Sequence, residues 1–272
     1  MQHFAKKRFG QNFLVDTSVI NNIVDSIQPV SDDVMIEIGP GLGSITKPLL
    51  SRLEQLNVIE LDRDIIPKLK RNCAIADPEN KHKLIVNECD VLKFNFAEFH
   101  TSLINNNTTG AVKKLRIVGN LPYNISTPVL FLLLKNRHLI EDLHFMLQKE
   151  VVDRIVATPS IKSYGRLSVM LQTFFTTQAL FEVPSYAFEP PPKVTSAILR
   201  LRPDTQFEKT INDYSLYEAL VRQAFSQRRK TLKNTLKNIC SVEQIEQADL
   251  LPIQRAEELS IADFVRLYSI IA

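Results

Sequence analysis

Apolar residues along this chain fall into two kinds of run. From about residue 34 onward, short β-rich stretches recur: VMIEI (34–38), LNVIEL (56–61), KLIV (83–86), LRIV (115–118) and LHFML (143–147). Helical patterns such as SITKPLLSRL (44–53) and residues 127–135 lie between them. Strand–helix alternation predicts an α/β fold with a doubly wound, mostly parallel sheet. Two further strands, ALFEV (179–183) and VTSAILRL (194–201), flank the proline-stiffened turn FEPPPK. So short a link predicts an antiparallel pair at one sheet edge and seven strands in all, unlike a dinucleotide-binding dehydrogenase. After Pro203 the strand signal stops, and SLYEALVRQAF, RKTLKNTL, VEQIEQA and SIADFVRLYSII read as short helices. The expected division is a large domain over 1–202 and a small all-α domain over 203–272.

Composition narrows the function classes. No apolar run approaches the roughly 18 residues of a spanning helix, and the start MQHFAKKRFGQ lacks the apolar core of a signal peptide. Neither membrane insertion nor secretion is expected. Cys73, Cys89 and Cys240 are scattered, with no CxxC spacing and no histidine grouped beside them, which predicts a reduced, cytoplasmic and metal-free protein. Formal charge is only +3, but it is unevenly placed. No acid occurs between Glu218 and Glu243, a stretch that holds Arg222, Arg228, Arg229, Lys230, Lys233 and Lys237; His3, Lys6, Lys7 and Arg8 precede the first acid, Asp16. On a helix through 226–237, Arg229, Lys233 and Lys237 share one face, giving a basic stripe suited to phosphates or simply a solvated surface. The polar tract at 104–111 reads as a surface loop without assigned function.

Three of the seven glycines, Gly39, Gly41 and Gly43, fall between the first strand and the following helical run. Glycine is needed where a turn requires positive φ or where a ligand approaches the main chain. Glu60 ends the second strand 21 positions after Gly39, where a carboxylate accepts hydrogen bonds from both ribose hydroxyls of a nucleoside ligand. Asp90, after the third strand, is placed either to accept an adenine amine hydrogen of that ligand or to cap a helix.

Asn120-Leu121-Pro122-Tyr123 follows the fourth strand directly. Pro122 biases Leu121 to an extended conformation, which turns the Leu121 carbonyl and the Asn120 side-chain oxygen toward one target. Two such acceptors gripping an aromatic amine favour the pyramidal nitrogen with a localised lone pair that attack requires. Tyr123 then offers a stacking face for a flipped base. The plainer reading makes Asn120 a cap for the helix at 127–135 and Tyr123 a core residue. Phe188, before the stiff Glu189-Pro190-Pro191-Pro192 turn, is either an aromatic ring held at the crevice mouth or a buried staple for that turn.

RFGQNFL (8–14), EIGPGLG (37–43), VIELD (58–62), GNLPYNISTP (119–128), FMLQKEV (145–151), YGRLSV (164–169), FEPPPKVTSA (188–197) and FSQRRKTLKN (225–234) together resemble the KsgA family of small-subunit rRNA adenine N6,N6-dimethyltransferases. The likeness spans nearly the whole chain. It implies a Rossmann-like class I methyltransferase domain with S-adenosylmethionine held by Asn12, Leu14, Gly39, Gly41, Glu60, Asp90 and Asn120. It places the target adenine between Asn120, Leu121 and Tyr123, with Phe188 on its other face, and makes the helical domain, with Arg228, Arg229, Lys230, Lys233 and Lys237, an rRNA-binding unit. The implied partner is the small ribosomal subunit and its rRNA, engaged by a monomer. Two other readings share the fold: the large-subunit adenine methyltransferase of the macrolide-resistance type, and a non-catalytic ribosome-assembly or transcription factor. FEPPPKV and FSQRRKTLKN oppose the first; intact Glu60, Asn120, Tyr123 and Phe188 oppose the second.

Overall fold

A computed structural model describes residues 12–106 and 113–272. The basic cluster at His3, Lys6, Lys7 and Arg8, and most of the polar tract at 104–111, lie outside the described residues. Nine strands are present among the described residues: β1 (Phe13–Leu14), β2 (Val34–Ile38), β3 (Leu56–Glu60), β4 (Leu84–Glu88), β5 (Leu115–Asn120), β6 (Ile140–Gln148), β7 (Phe175–Val183), β8 (Phe188–Glu189) and β9 (Ser196–Pro203). Seven of them form one sheet in the order β4-β3-β2-β5-β6-β9-β7. The pairs β4–β3, β3–β2, β2–β5 and β5–β6 are parallel and β6–β9 is antiparallel. The mostly parallel seven-stranded sheet matches the expectation. All five residues of β3 are buried, which is why this segment reads as a nearly unbroken apolar run rather than an alternating one.

One connection differs from expectation. The segment between β7 and β9 is no bare turn, because its Phe188–Glu189 pairs antiparallel with β1, matching Leu14 to Phe188 and Phe13 to Glu189. Ala187 O also accepts the Val15 amide at 2.8 Å, so the chain's first described strand is stitched to this segment.

By internal contacts the chain divides into two compact units, Met1–Lys149 with Ala179–Arg202, and Glu150–Gln178 with Pro203–Ala272. The single cut at 202/203 is therefore corrected: residues 150–178 belong with the C-terminal helices. The first unit carries α1 (Thr17–Ile27), α2 (Thr46–Leu50), α3 (Ile66–Ala76), α4 (Phe96–Asn106) and α5 (Ser126–Lys135); the second is built from α6 (Lys149–Ile155), α7 (Arg166–Phe174), α8 (Tyr214–Ala224), α9 (Leu232–Thr235), α10 (Val242–Gln247) and α11 (Ile261–Ile271). The regrouping has a packing cause. Helix α7 lies against α8 and α11, the buried Tyr164 hydroxyl donates to Leu259 O at 2.8 Å, and Thr173 and Tyr217 share a hydroxyl hydrogen bond of 2.8 Å. Edge-to-face rings of Phe174, Tyr217 and Tyr268 complete an aromatic core of its own.

The helix expected through 226–237 is not formed. Ser226 Oγ turns back to donate to Gln223 O at 2.7 Å, and Thr231 is extended (φ −77°, ψ 162°), so only the four residues of α9 are helical. Hydroxyl side chains that bond nearby backbone offer it an alternative to the helix. Arg229, Lys233 and Lys237 consequently do not form a helical stripe.

Gly119 on β5 lies opposite Ile38 on β2, and a Cβ there would stand 2.4 Å from the Ile38 carbonyl oxygen. Gly119→Ala must force the two central strands apart, with an expected loss of roughly 3 kcal/mol in urea unfolding, at the upper end of overpacking costs. A variant as stable as the parent would show that the strands separate at no cost.

Candidate active site

The parallel strands end on one side, and between β2 and β5 the chain order reverses, which is where open α/β sheets bind ligands. A cavity of about 360 Å³ lies there, within the roughly 300–1,000 Å³ range of small-molecule sites. Its wall is assembled from successive strand ends and the loops that leave them. Gly39, Gly41 and Gly43 adopt φ of +68°, +55° and +90°, so the loop after β2 follows a path that side-chain-bearing residues avoid. At Gly39 the requirement is the positive φ and not space, since an added Cβ would stand in ordinary contact, 3.7 Å, with the Asn120 carbonyl. Ser44 Oγ donates to Leu14 O at 2.6 Å and so holds β1 beside that loop.

Asn12, Leu14, Gly39, Gly41, Glu60, Asp90, Asn120, Leu121 and Tyr123, all expected at the site, line this one cavity. Glu60 is 9% exposed, and its Oε1 accepts the Asp62 amide at 2.8 Å. Burial raises its pKa, while the Asp62, Leu61 and Gly41 amides pull it back down. Asp90 serves its plainer role as well, since its Oδ1 accepts the Leu92 amide at 3.0 Å and caps a short 3₁₀ turn.

Asn120 ends β5, and its Nδ2 donates to the Asn12 carbonyl at 3.3 Å. That bond engages one of the two amide hydrogens and orients the side chain, which lines the cavity. The Leu121 amide donates to Met146 O at 3.2 Å, tying the tetrapeptide to β6. Tyr123 is half-buried, and its hydroxyl shares a 2.9 Å hydrogen bond with Ser196 Oγ on β9. The aromatic ring is thus anchored at its far end by a fully buried hydroxyl.

Phe188 is not brought to the cavity. It is 3% exposed and belongs to a hydrophobic cluster with Leu14, Val183 and Ile198, because the β1–β8 pairing draws it under the first strand. Its burial accords with the plainer of the two readings, a staple for the turn, while Leu14, its partner across the β1–β8 pair, lines the cavity. The five expected RNA contacts, Arg228, Arg229, Lys230, Lys233 and Lys237, are all exposed in the second unit. Arg228 is partly committed there, through an ion pair with Glu257 at 2.8 Å and a hydrogen bond to the Lys162 carbonyl.

Two site residues were not anticipated. Ser196 falls within the FEPPPKVTSA segment, but nothing in the sequence ties it to Tyr123, 73 positions away. Glu37 did: it is a carboxylate inside the apolar strand VMIEI, 2% exposed, with Oε2 lacking any hydrogen-bond partner. Burial pushes its pKa up to about 7; contact with the Thr46 hydroxyl opposes that rise and the Glu60 carboxylate adds to it. Glu37, Glu60 and Asp90 place three carboxylates on the cavity wall, and no Lys, Arg or His is among the described residues that line it. This wall suits a ligand that carries positive charge. The ribose role expected of Glu60 from the sequence predicts that Glu60→Ala weakens cofactor binding by about 1–3 kcal/mol through lost charge-assisted bonds. Calorimetry on the folded variant checks this, and unchanged affinity removes Glu60 from the site.

Comparison with known proteins shows the family. The family model for ribosomal RNA adenine dimethylase matches residues 2–272. The ribosomal RNA small subunit methyltransferase A of Chromobacterium violaceum is 50% identical over 266 residues, covering 98% of this chain and 95% of that protein. Its counterpart in Actinobacillus pleuropneumoniae is 47% identical over 265 residues, covering 97% and 89%. Among solved structures, a dimethyladenosine transferase from Plasmodium falciparum superposes with a TM-score of 0.77 at 25% identity, covering 94% of this chain and 95% of that one. The 23S rRNA methyltransferase ErmE shares the fold at a TM-score of 0.68 and 22% identity, covering 96% and 99%. With a family match over essentially the full chain and relatives 47–50% identical over nearly their whole length, the chain belongs to the ribosomal RNA adenine dimethylase family, whose methyl donor is S-adenosylmethionine.

Proposed function

We propose that this protein transfers methyl groups to the N6 amines of two adjacent adenines in a loop near the 3′ end of small-subunit rRNA, yielding N6,N6-dimethyladenosines, and thereby takes part in small-subunit biogenesis. The observation that carries this reading is Asn120: it stands at the end of β5 on the cavity wall with its amide nitrogen already committed to Asn12. The small-subunit target is supported by near-full-length relatives whose names specify that subunit. The likeness to ErmE, at 22% identity, supports the shared fold alone and does not favour a large-subunit target.

The residues present fit the cofactor. The orphaned Glu37 Oε2 is an acceptor for an ammonium group, Glu60 for ribose hydroxyls, and the Gly39–Gly41 backbone allows close approach. When bound, S-adenosylmethionine supplies a methyl group activated by its sulfonium.

The chain's own part is positioning and charge stabilisation. Asn120 Oδ1 and the Leu121 carbonyl accept the hydrogens of the adenine amine and stabilise positive charge developing on nitrogen. Tyr123, anchored on Ser196, offers the flipped base a fixed face at little ordering cost. No side chain needs to act as a base, because the surplus proton leaves to solvent once the nitrogen is tetrahedral and cationic. Cys89 is no nucleophile here, since burial and then the Asp90 carboxylate push its thiol up.

Exposed Arg229, Lys230, Lys233 and Lys237 serve as phosphate contacts for the folded rRNA, which is read mainly by shape. Incubation with unmethylated small and large subunits, followed by mapping of methylated adenines, tests the assignment. Dimethylation of two neighbouring adenines in the small-subunit rRNA is the expected result; modification confined to the large subunit overturns it.

A further inference from the structure

Aliphatic side chains stand unusually exposed beside the basic segment of the second unit. Leu251 is 61% and Ile253 is 66% exposed, with Pro252 between them. The turn that carries them is rigid. The Gln254 amide donates to Leu251 O at 2.9 Å, and the Leu251 amide donates to Gln254 Oε1 at 2.8 Å, so residues 251–254 are closed from both sides while Pro252 fixes φ at its centre. The turn is also clamped to α9. The Lys233 amide donates to Pro252 O at 3.1 Å and the Leu232 amide to Gln254 O at 2.8 Å.

Two apolar side chains are thus presented on a preformed support immediately beside Lys233, with Arg255 next along the chain. The nearest acids along the chain are Asp249, two positions before the turn, Glu257, which is ion-paired with Arg228 at 2.8 Å, and Glu258, whose Oε1 accepts the Arg255 amide at 2.9 Å. Exposed Arg229, Lys230 and Lys237 add to the positive side. A rigid apolar projection with Lys233 and Arg255 beside it fits a polyanion that also displays carbon–hydrogen surface. An A-form RNA helix presents the carbon–hydrogen edges of its riboses, together with 2′-hydroxyls and base edges, in a wide, shallow minor groove between two lines of phosphates.

We propose that the 251–254 turn is a second, uncharged element of the RNA-docking surface. Leu251 and Ile253 lie on riboses of a minor groove while Lys233 and its neighbouring cations take the flanking phosphates. The proposal rests on the reading that the basic segment docks on small-subunit rRNA, and it assigns to that surface a contact that salt does not screen.

The two kinds of contact separate by their salt dependence. Neutralising Arg229, Lys233 and Lys237 lowers the slope of log affinity against log salt, because fewer counterions are released. The paired substitution L251S/I253S, at exposed positions that leave the closing hydrogen bonds in place, is expected to weaken binding to unmethylated small subunits about tenfold at every salt concentration with the slope unchanged. Hydroxyl-radical cleavage, which reads ribose accessibility, is expected to show a short protected stretch of rRNA that reappears as cleavable with L251S/I253S. An rRNA footprint identical for the parent and L251S/I253S overturns the proposal. So does an affinity loss without any footprint change, which would assign the turn to a ribosomal protein. An unaltered salt slope in the basic triple variant instead overturns the underlying docking reading, whatever the turn does.

Discussion

Asn120→Ala is expected to slow methyl transfer by about 10²-fold or more, the scale of one preorganised polar group, while cofactor and subunit binding change far less. Its physical basis is the fixed orientation of the side chain. With one Nδ2 hydrogen bonded to the Asn12 carbonyl, the amide is already oriented and Oδ1 needs little reorganisation when charge develops on the adenine nitrogen. Asn120→Asp is the sharper test. A carboxylate still accepts the amine hydrogen but loses the donor that bonds Asn12, so activity is expected to fall partially. Single-turnover rates on purified unmethylated small subunits measure both effects, and a fully active Asn120→Ala would sink the mechanism.

Glu37→Gln is expected to have opposite effects on the free protein and on cofactor binding. A carboxyl whose pKa is raised from 4.5 to about 7 contributes stability that is fully present below 4.5 and is lost as pH rises through about 7. For a group this deeply buried the change is worth about 3 kcal/mol across that window. His144 acts in the contrary sense. Buried on β6 with neither ring nitrogen hydrogen-bonded, it has its pKa lowered from 6.5 to about 4, chiefly by burial, so its contribution is lost as pH falls from 6.5 to 4. The two oppose each other in the parent protein between about pH 4.5 and 6.5, with Glu60, whose pKa burial also raises, on the side of Glu37. The variant separates them: Glu37→Gln melts higher than the parent at pH 8 and at a similar temperature at pH 5. In the liganded state the sign changes, because a bound ammonium favours the ionised carboxylate. Cofactor binding to the parent therefore releases a proton and tightens from pH 6 to pH 8, whereas Glu37→Gln binds more weakly and almost independently of pH. Calorimetry in buffers of different ionisation enthalpy reads the proton directly, and equal proton release by the two proteins rules out Glu37 as its source.

Much of the first unit was legible because its elements are local. Strand runs such as VMIEI and LRIV, the glycines that need positive φ, and the positions of Glu60 and Asn120 at strand ends follow from backbone sterics and from the pattern of burial. Once strands are parallel, their carboxyl ends meet on one side, so residues found there share a cavity without further instruction. The sequence by itself therefore determined the sheet, the cofactor cavity and its principal polar groups. What only the tertiary structure decided were matters of long-range packing. The pairing of Leu14 with Phe188 took that ring into the core, and the anchoring of Tyr123 on Ser196 joined residues 73 positions apart. Residues 150–178 joined the C-terminal helices through the partners of Tyr164 and Thr173. Thr231 ended a helix that charge spacing alone had drawn through 226–237. In each case local propensity left two or more arrangements close in energy, and contacts between distant segments, which no periodicity records, selected one.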